Sequence, residues 1–139
     1  MAGVLLRSVG SRYTTQVTTE HHTVIADEAE PDGDDLGPTP YELLLAALGA
    51  CTSMTLLMYA RRLGWPLEEV QVELTHERQH ARDCEDCEGD DTRLDVIHRR
   101  IRLEGQLSAD QRGKLLEIAQ RCPVHKTLVA APEVLDELV

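Results

Sequence analysis

The stretch TPYELLLAALGACTSMTLLMYARRLGWP, running from Thr39 to Pro66, decides how this chain folds. Thr39 is an N-cap residue, Pro40 suits the first helical position, and Glu42 completes a capping box. Gly64 and Pro66 end the helix, with Arg61 and Arg62 favourably placed in its last turn. Between Leu43 and Ala60 lie 18 residues without a charge. That is the lower edge of a transmembrane length. Gly49, Cys51, Thr52, Ser53 and Thr55 interrupt the stretch, and nothing else in the chain resembles a membrane partner, so a membrane span is not expected. A helix apolar nearly all round is instead one buried on most sides. A chain of this size rarely encloses a helix so fully, whereas a dimer can.

Working outward, Thr14–Thr19 and Thr23–Ile25 are β-branched runs that predict two short strands, with residues 1–12 as a ragged end. Residues 28–38 are acidic and hold Pro31, Gly33, Gly37 and Pro38, the marks of an exposed loop. Beyond the long helix, Val70, Val72 and Leu74 alternate with polar residues, predicting a half-buried strand over 69–80. Ile97, Ile101 and Leu103 mark a second strand over 94–104, paired across a polar loop at 81–92. Ser108 to Gln111 is another capping box. The helix behind it carries Leu115, Ile118, Ala119 and Cys122 as one stripe, until Pro123 interrupts it. A last strand is expected around Glu133–Val139. Strands, helix, strands, helix, strand give an α+β class, with residues 1–139 as one domain.

Composition narrows the function. The chain has 14 Lys+Arg against 25 Asp+Glu, a formal net charge of -11, and only 3% aromatic residues with no Phe. Nucleic acid and anionic membrane surfaces are therefore poor partners, and there are no aromatic platforms on which to stack bases. Four cysteines in 139 residues do not make a disulfide scaffold. Met1 to Gly10 lacks an apolar signal core, so a reducing cytoplasm is the expected compartment.

Two groups of residues could carry chemistry. Cys51 lies on the helical row Leu44, Ala47, Leu48, Cys51, Met54, Met58, and Cys122 lies on the stripe of the later helix; both stripes are expected to pack on the sheet, where they could approach one another. Spacing alone leaves both as packing residues or as a functional pair. Arg121, His125 and Lys126 flank Cys122, and a fresh helical turn beginning at Pro123 would favour its thiolate. The second group is His76, His80, Cys84 and Cys87. Its H-x3-H-x3-C-x2-C spacing suits a tetrahedral zinc site, a redox dithiol, or an acidic loop with no special role.

Gly37 to Cys51 resembles the first cysteine motif of the OsmC/Ohr-like family, the osmotically inducible and organic-hydroperoxide-resistance proteins. Arg121-Cys122-Pro123-Val124-His125-Lys126-Thr127-Leu128 resembles the second. The resemblance spans roughly residues 12–138 and implies an OsmC-like fold, an intertwined homodimer with antiparallel sheets around long central helices. It implies a thiol peroxidase of the oxidative-stress response that reduces organic hydroperoxides and needs no cofactor. Cys51 would be peroxidatic and Cys122 resolving, with a dithiol such as a lipoylated protein as reductant. Tyr41 and His125 are the candidate binding residues.

The motif departs from the peroxidases at one point. They place glutamate directly after the helix-opening proline; here Tyr41 stands there and Glu42 follows, about 100° further round. The chain thus resembles a Pro-Tyr-Glu branch, and Glu42 is read either as catalytic or as the cap partner of Thr39. The family's thiolate-holding arginine corresponds best to Arg12, with Arg7 behind it. The alternative reading is a non-peroxidase OsmC-fold protein that binds a small ligand, or structural zinc through His76, His80, Cys84 and Cys87.

Overall fold

The computed structural model describes residues 2–80 and 93–139, which form two compact units divided between Leu44 and Leu45. The first unit is a three-stranded antiparallel meander, β1 (Leu5–Ser8), β2 (Thr15–Thr18) and β3 (Thr23–Ala26), in that order. Leu6 pairs with Val17, and Val17 with Val24. β1 falls where a ragged end was expected. Its side chains are exposed, so it carries no alternating signal, and it forms because β2 offers an edge.

The acidic loop after β3 is organised by one buried carboxylate. Asp27 accepts from the Thr14 hydroxyl at 3.0 Å and from the backbone N–H groups of Glu28 at 2.8 Å and Leu36 at 3.3 Å. Burial opposes its ionisation. The hydrogen bonds from Glu28, Thr14, Leu36 and Asp34 outweigh that cost and hold its pKa below the usual carboxylate value.

α1 (Pro40–Leu63) has the expected ends. The Glu42 N–H donates to Thr39 Oγ1 at 3.3 Å, and the Thr39 N–H donates to Glu42 Oε2 at 3.4 Å. At the other end Trp65 N–H reaches Ala60 O and Gly64 N–H reaches Arg61 O, a Schellman motif with Gly64 at φ +67.

The second unit builds its core on one stripe of α1. β4 (Glu69–His80) and β5 (Arg93–Glu104) form an antiparallel hairpin in which Val72 faces Ile101 and Leu74 faces Arg99. Both strands were expected within a residue of these bounds. Their outer face carries an ion pair of Glu73 with Arg100 at 3.1 Å and a hydrogen bond between His98 Nε2 and Glu77 Oε1 at 2.9 Å. The inner face packs with α2 (Ala109–Ala119) on α1. Leu56, Ala60, Leu115, Ile118 and Ala119 are the buried centre, and Trp65, Val70, Ile101 and Leu103 lie around them. Gly49 belongs to the same stripe, and a Cβ there would stand 2.8 Å from Leu74 Cδ1. α2 begins with the expected box, in which Ser108 and Gln111 cap each other.

Two expectations need correction. The buried stripe of α1 is Leu48, Gly49, Thr52, Leu56 and Ala60, not the row ending in Met54 and Met58, which are 61% and 64% exposed. A helix of nearly uniform apolarity does not announce which side the sheet will cover. No strand forms over 133–139 either; Val134, Leu135 and Leu138 are exposed there. Those residues pair with no strand edge, and β propensity without an edge makes no ladder.

Two predictions follow from these contacts. Gly105 has φ +136, and a Cβ on it would lie 2.0 Å from the Pro66 carbonyl oxygen. Gly105→Ala should destabilise the protein by ~3 kcal/mol or more, and an unchanged denaturant midpoint would refute the close approach. Because the Asp27 pKa is lowered on folding, its contribution is complete above the unfolded carboxylate pKa and is lost as pH falls through the folded value. Asp27→Asn should flatten the acid limb of stability measured against pH. A limb as steep as the parent's would rule this out.

Candidate active site

Pro123 sets the position of Cys122. It has no N–H to give and clashes with a continuing helix, so α2 stops at Ala119 and α3 (Pro123–Val129) starts with Pro123 at its first position. Cys122 becomes the residue before a proline and takes an extended backbone, φ -54 and ψ 129. Its carbonyl accepts from the Lys126 N–H at 3.1 Å, closing the first turn of α3. The Cys122 side chain is fully buried, while Cys51 on α1 is half-buried at the rim of the packed stripe.

The two thiols lie close enough for each to shift the other's acidity. Their acidities split in opposite directions. Burial pushes the Cys51 thiol up, and its role as donor to Cys122 pushes it further; the Val124 N–H and the Thr55 hydroxyl oppose this. Burial also works against a Cys122 thiolate. The bond from Cys51, the N–H groups of His125 and Val124, and the Thr52 hydroxyl outweigh it and bring Cys122 below an ordinary thiol. The two N–H groups act as electrostatic neighbours rather than as a formed cap hydrogen bond.

Sequence reasoning missed two residues behind the pair. Thr52 is fully buried; its Oγ1 donates to Leu48 O at 2.7 Å and accepts from Arg99 Nη1 at 2.9 Å. Arg99 lies between Ile97 and Ile101 on the inner face of β5, so a cation at an inward position of an alternating strand was the available signal. A groove of about 460 Å³ opens beside it. Ile97, Ile101, Leu116 and Leu128 give it apolar walls, and Arg99 and His125 give it cationic or polar ones.

The remaining expected residues are placed as follows. Tyr41 and Glu42 open α1 in the first unit, Tyr41 45% exposed and Glu42 in the capping box. Arg12 is also in that unit and is engaged by the loop after β3. Its guanidinium donates to Gly33 O at 3.1 Å and Asp34 Oδ1 at 3.0 Å, and to the carbonyls of Pro31 and Asp32. Arg7 is exposed on β1. His76 bonds through Nε2 to Asp95 Oδ1 at 2.8 Å, and Arg78 joins the same carboxylate. Cys84, Cys87 and the side chain of His80 lie outside the described residues, and among the described residues no His/Cys/Asp/Glu group is arranged to hold a metal.

A family model described as OsmC-like protein matches residues 32–135. Several solved structures share the fold. An OsmC-like protein from Mycoplasma pneumoniae is 16% identical with a TM-score of 0.76, covering 94% of this chain and 89% of that one. The organic hydroperoxide resistance protein OhrB of Bacillus subtilis is 18% identical with a TM-score of 0.65, covering 94% and 92%. An organic hydroperoxide resistance protein from Legionella pneumophila is 16% identical with a TM-score of 0.64, covering 91% and 88%. At these identities the likeness is one of fold. No curated protein sequence matches the chain.

The buried threonine gives a stability prediction. Thr52→Val removes the acceptor of a half-buried guanidinium and should cost about 1–3 kcal/mol. Thr52→Ser keeps the hydroxyl and should cost about 1 kcal/mol for the lost methyl. Denaturant midpoints that rank the two variants the other way would contradict the placement of Arg99.

Proposed function

The chain belongs to the OsmC-like family, and on that footing we propose that it is a thiol peroxidase reducing organic hydroperoxides in the oxidative-stress response. The proximity of the Cys51 and Cys122 thiols, each shifting the other's acidity, is the observation that carries this reading. Cys51 is the more accessible sulfur and Cys122 the buried one, which fits attack by Cys51 and resolution by Cys122.

The chemistry balances as follows. The proton of Cys51 passes to Cys122. The Cys51 thiolate attacks the terminal hydroperoxide oxygen; an S–O bond forms, the O–O bond breaks, and the alkoxide takes the proton that Cys122 received, which leaves Cys122 as a thiolate. Cys51 is now a sulfenic acid, oxidised by two electrons. The Cys122 thiolate attacks that sulfur, an S–S bond forms, and hydroxide leaves as water after taking a proton. A dithiol, such as a lipoylated protein, returns two electrons and restores both thiols.

In this proposal residues 1–139 act as one OsmC-like domain within a cytoplasmic homodimer. The exposed apolar side of α1, with Leu44, Met54 and Met58, supports a second copy as its cover. Glu42 serves as the cap of α1, and no catalytic task is given to it. His125 and the apolar groove beside Arg99 support binding of an organic substrate. The same groove favours a second reading, a small-ligand carrier without turnover. Structural zinc at His76, His80, Cys84 and Cys87 belongs to that reading too, but the hydrogen bond between His76 and Asp95 gives it no support.

One experiment separates the readings. One equivalent of cumene hydroperoxide should convert Cys51 and Cys122 to a disulfide, seen by intact mass and peptide mapping. With a lipoyl-type dithiol the protein should consume hydroperoxide catalytically, and Cys51→Ser should lose all turnover above the uncatalysed reaction. Consumption unchanged in Cys51→Ser would sink the proposal.

A further inference from the structure

We propose that the groove between the inner face of β5 and the helices α2 and α3 is a binding site for an amphiphilic carboxylate, with Arg99 taking the head group. The inference deepens the reading of this groove as the seat of an organic ligand. It does not depend on the redox chemistry of the cysteines.

The observation that carries it is a cation without a counter-ion in an apolar setting. Arg99 stands between Ile97 and Ile101 on the inner face of β5 and is half-buried. A guanidinium has five N–H donors and a charge that persists at every working pH. One donor, on Nη1, goes to Thr52 Oγ1 at 2.9 Å. That hydroxyl is itself fixed by its bond to the Leu48 carbonyl at 2.7 Å, so the guanidinium is anchored at one corner. Among the described residues no carboxylate forms an ion pair with it. Asp95, the acid that also lines the groove, lies ~13 Å further along the extended strand. It is taken by His76 Nε2 at 2.8 Å and by Arg78 Nε at 3.4 Å. A half-buried charge of this kind gains most from an anion that arrives from outside the chain.

The walls say what that anion is attached to. Ile97, Ile101, Leu116, Leu128 and Val129 line the groove, and Leu116 and Val129 are 61% and 71% exposed, so apolar surface stands uncovered there. His125 of α3 lines it as well, and among the described residues its imidazole has no hydrogen-bond partner, which offers the head group a second polar contact. The volume of about 460 Å³ is that of a small-molecule site. A carboxylate is planar and meets a guanidinium through two parallel hydrogen bonds. An alkyl chain behind it buries against the walls. An inorganic anion leaves those walls bare, and a neutral alcohol leaves the charge unmet. An amphiphilic carboxylate satisfies both.

The test is isothermal titration calorimetry of the reduced full-length protein, with octanoate as the probe and no peroxide present. Octanoate should bind, and 1-octanol should bind about tenfold more weakly or worse. Butanoate, four methylenes shorter, should also bind at least ~10-fold more weakly. Arg99→Gln should bring octanoate down to the affinity of 1-octanol, and Arg99→Lys, which keeps the charge, should recover part of the loss. Arg100→Gln removes an arginine from the opposite face of β5 and should leave octanoate binding unchanged. Absence of octanoate binding overturns the inference, and a groove filled by a second copy of the chain gives that result. So does 1-octanol binding as tightly as octanoate, butanoate binding as tightly as octanoate, or an equal loss in Arg100→Gln. The octanol and butanoate comparisons use the parent protein, so they decide the matter even if Arg99→Gln fails to fold. Octanoate binding in a protein that reduces no hydroperoxide removes the peroxidase reading and keeps this one. Turnover of cumene hydroperoxide without octanoate binding does the reverse.

Discussion

Covering one stripe of a helix that is apolar on every side is the constraint on which the second unit depends. The stripe of α1 that gains cover runs through Leu48, Gly49, Thr52, Leu56 and Ala60. Its composition dictates what can lie on it. Gly49 has no side chain to hold β4 away, so Leu74 comes close; Ala60 and Leu56 accept the apolar face of α2. The alternation of β4 and β5 then follows, because a strand laid on that stripe must turn every second residue inward. Hydrophobic burial of this kind, about 25 cal/mol per Å² of apolar surface, fixes the scaffold. The scaffold in turn places Cys51 at its rim and Cys122 beneath it.

Within the scaffold, polar groups appear only where a partner meets them. Thr52 is the one polar side chain on the buried stripe, and both its lone-pair and proton capacities are used. Arg99 enters the inner face of the sheet and ends on that hydroxyl. Cys122 is fully buried before α3, with Thr52 of α1 and the N–H groups of Val124 and His125 as its polar neighbours. Buried polar atoms in this structure are satisfied among the described residues, which is what keeps such a site from costing the fold. The first unit solves the same problem at Asp27, where a hydroxyl and backbone N–H groups converge on a carboxylate.

The parts of this arrangement that sequence makes legible are those written in local chemistry. The ends of α1 were readable from Thr39, Glu42 and Gly64, and β4 and β5 from their alternation. Pro123 announced the break that makes Cys122 a helix-opening residue, and the two cysteine motifs named the family. The illegible parts depend on long-range choice. Uniform apolarity hid the buried side of α1, so Met54 and Met58 were placed inward although they face out. Exposed Leu5 and Leu6 gave no sign of β1, which exists through pairing. Val134, Leu135 and Leu138 looked like a strand and lack an edge to join. Arg99 and Thr52 lie 47 positions apart in sequence, and their meeting is decided by the register of β4 with β5 and by the packing of the sheet on α1. Arg12 was sought as the partner of a thiolate, and its guanidinium is engaged by carbonyls of the loop after β3.

The unequal burial of the two sulfurs has a consequence for the way out of the oxidised state. In a disulfide between them, only the Cys51 side faces solvent, because Cys122 is fully enclosed. An incoming thiolate must therefore attack Cys51 and expel Cys122. Exchange is fastest when the departing sulfur is the more acidic one, and Cys122 is that sulfur here. The enclosure of Cys122 thus makes the bond directional. In the proposed cycle it selects which mixed disulfide forms with the reductant, and Cys122 leaves into enclosed surroundings.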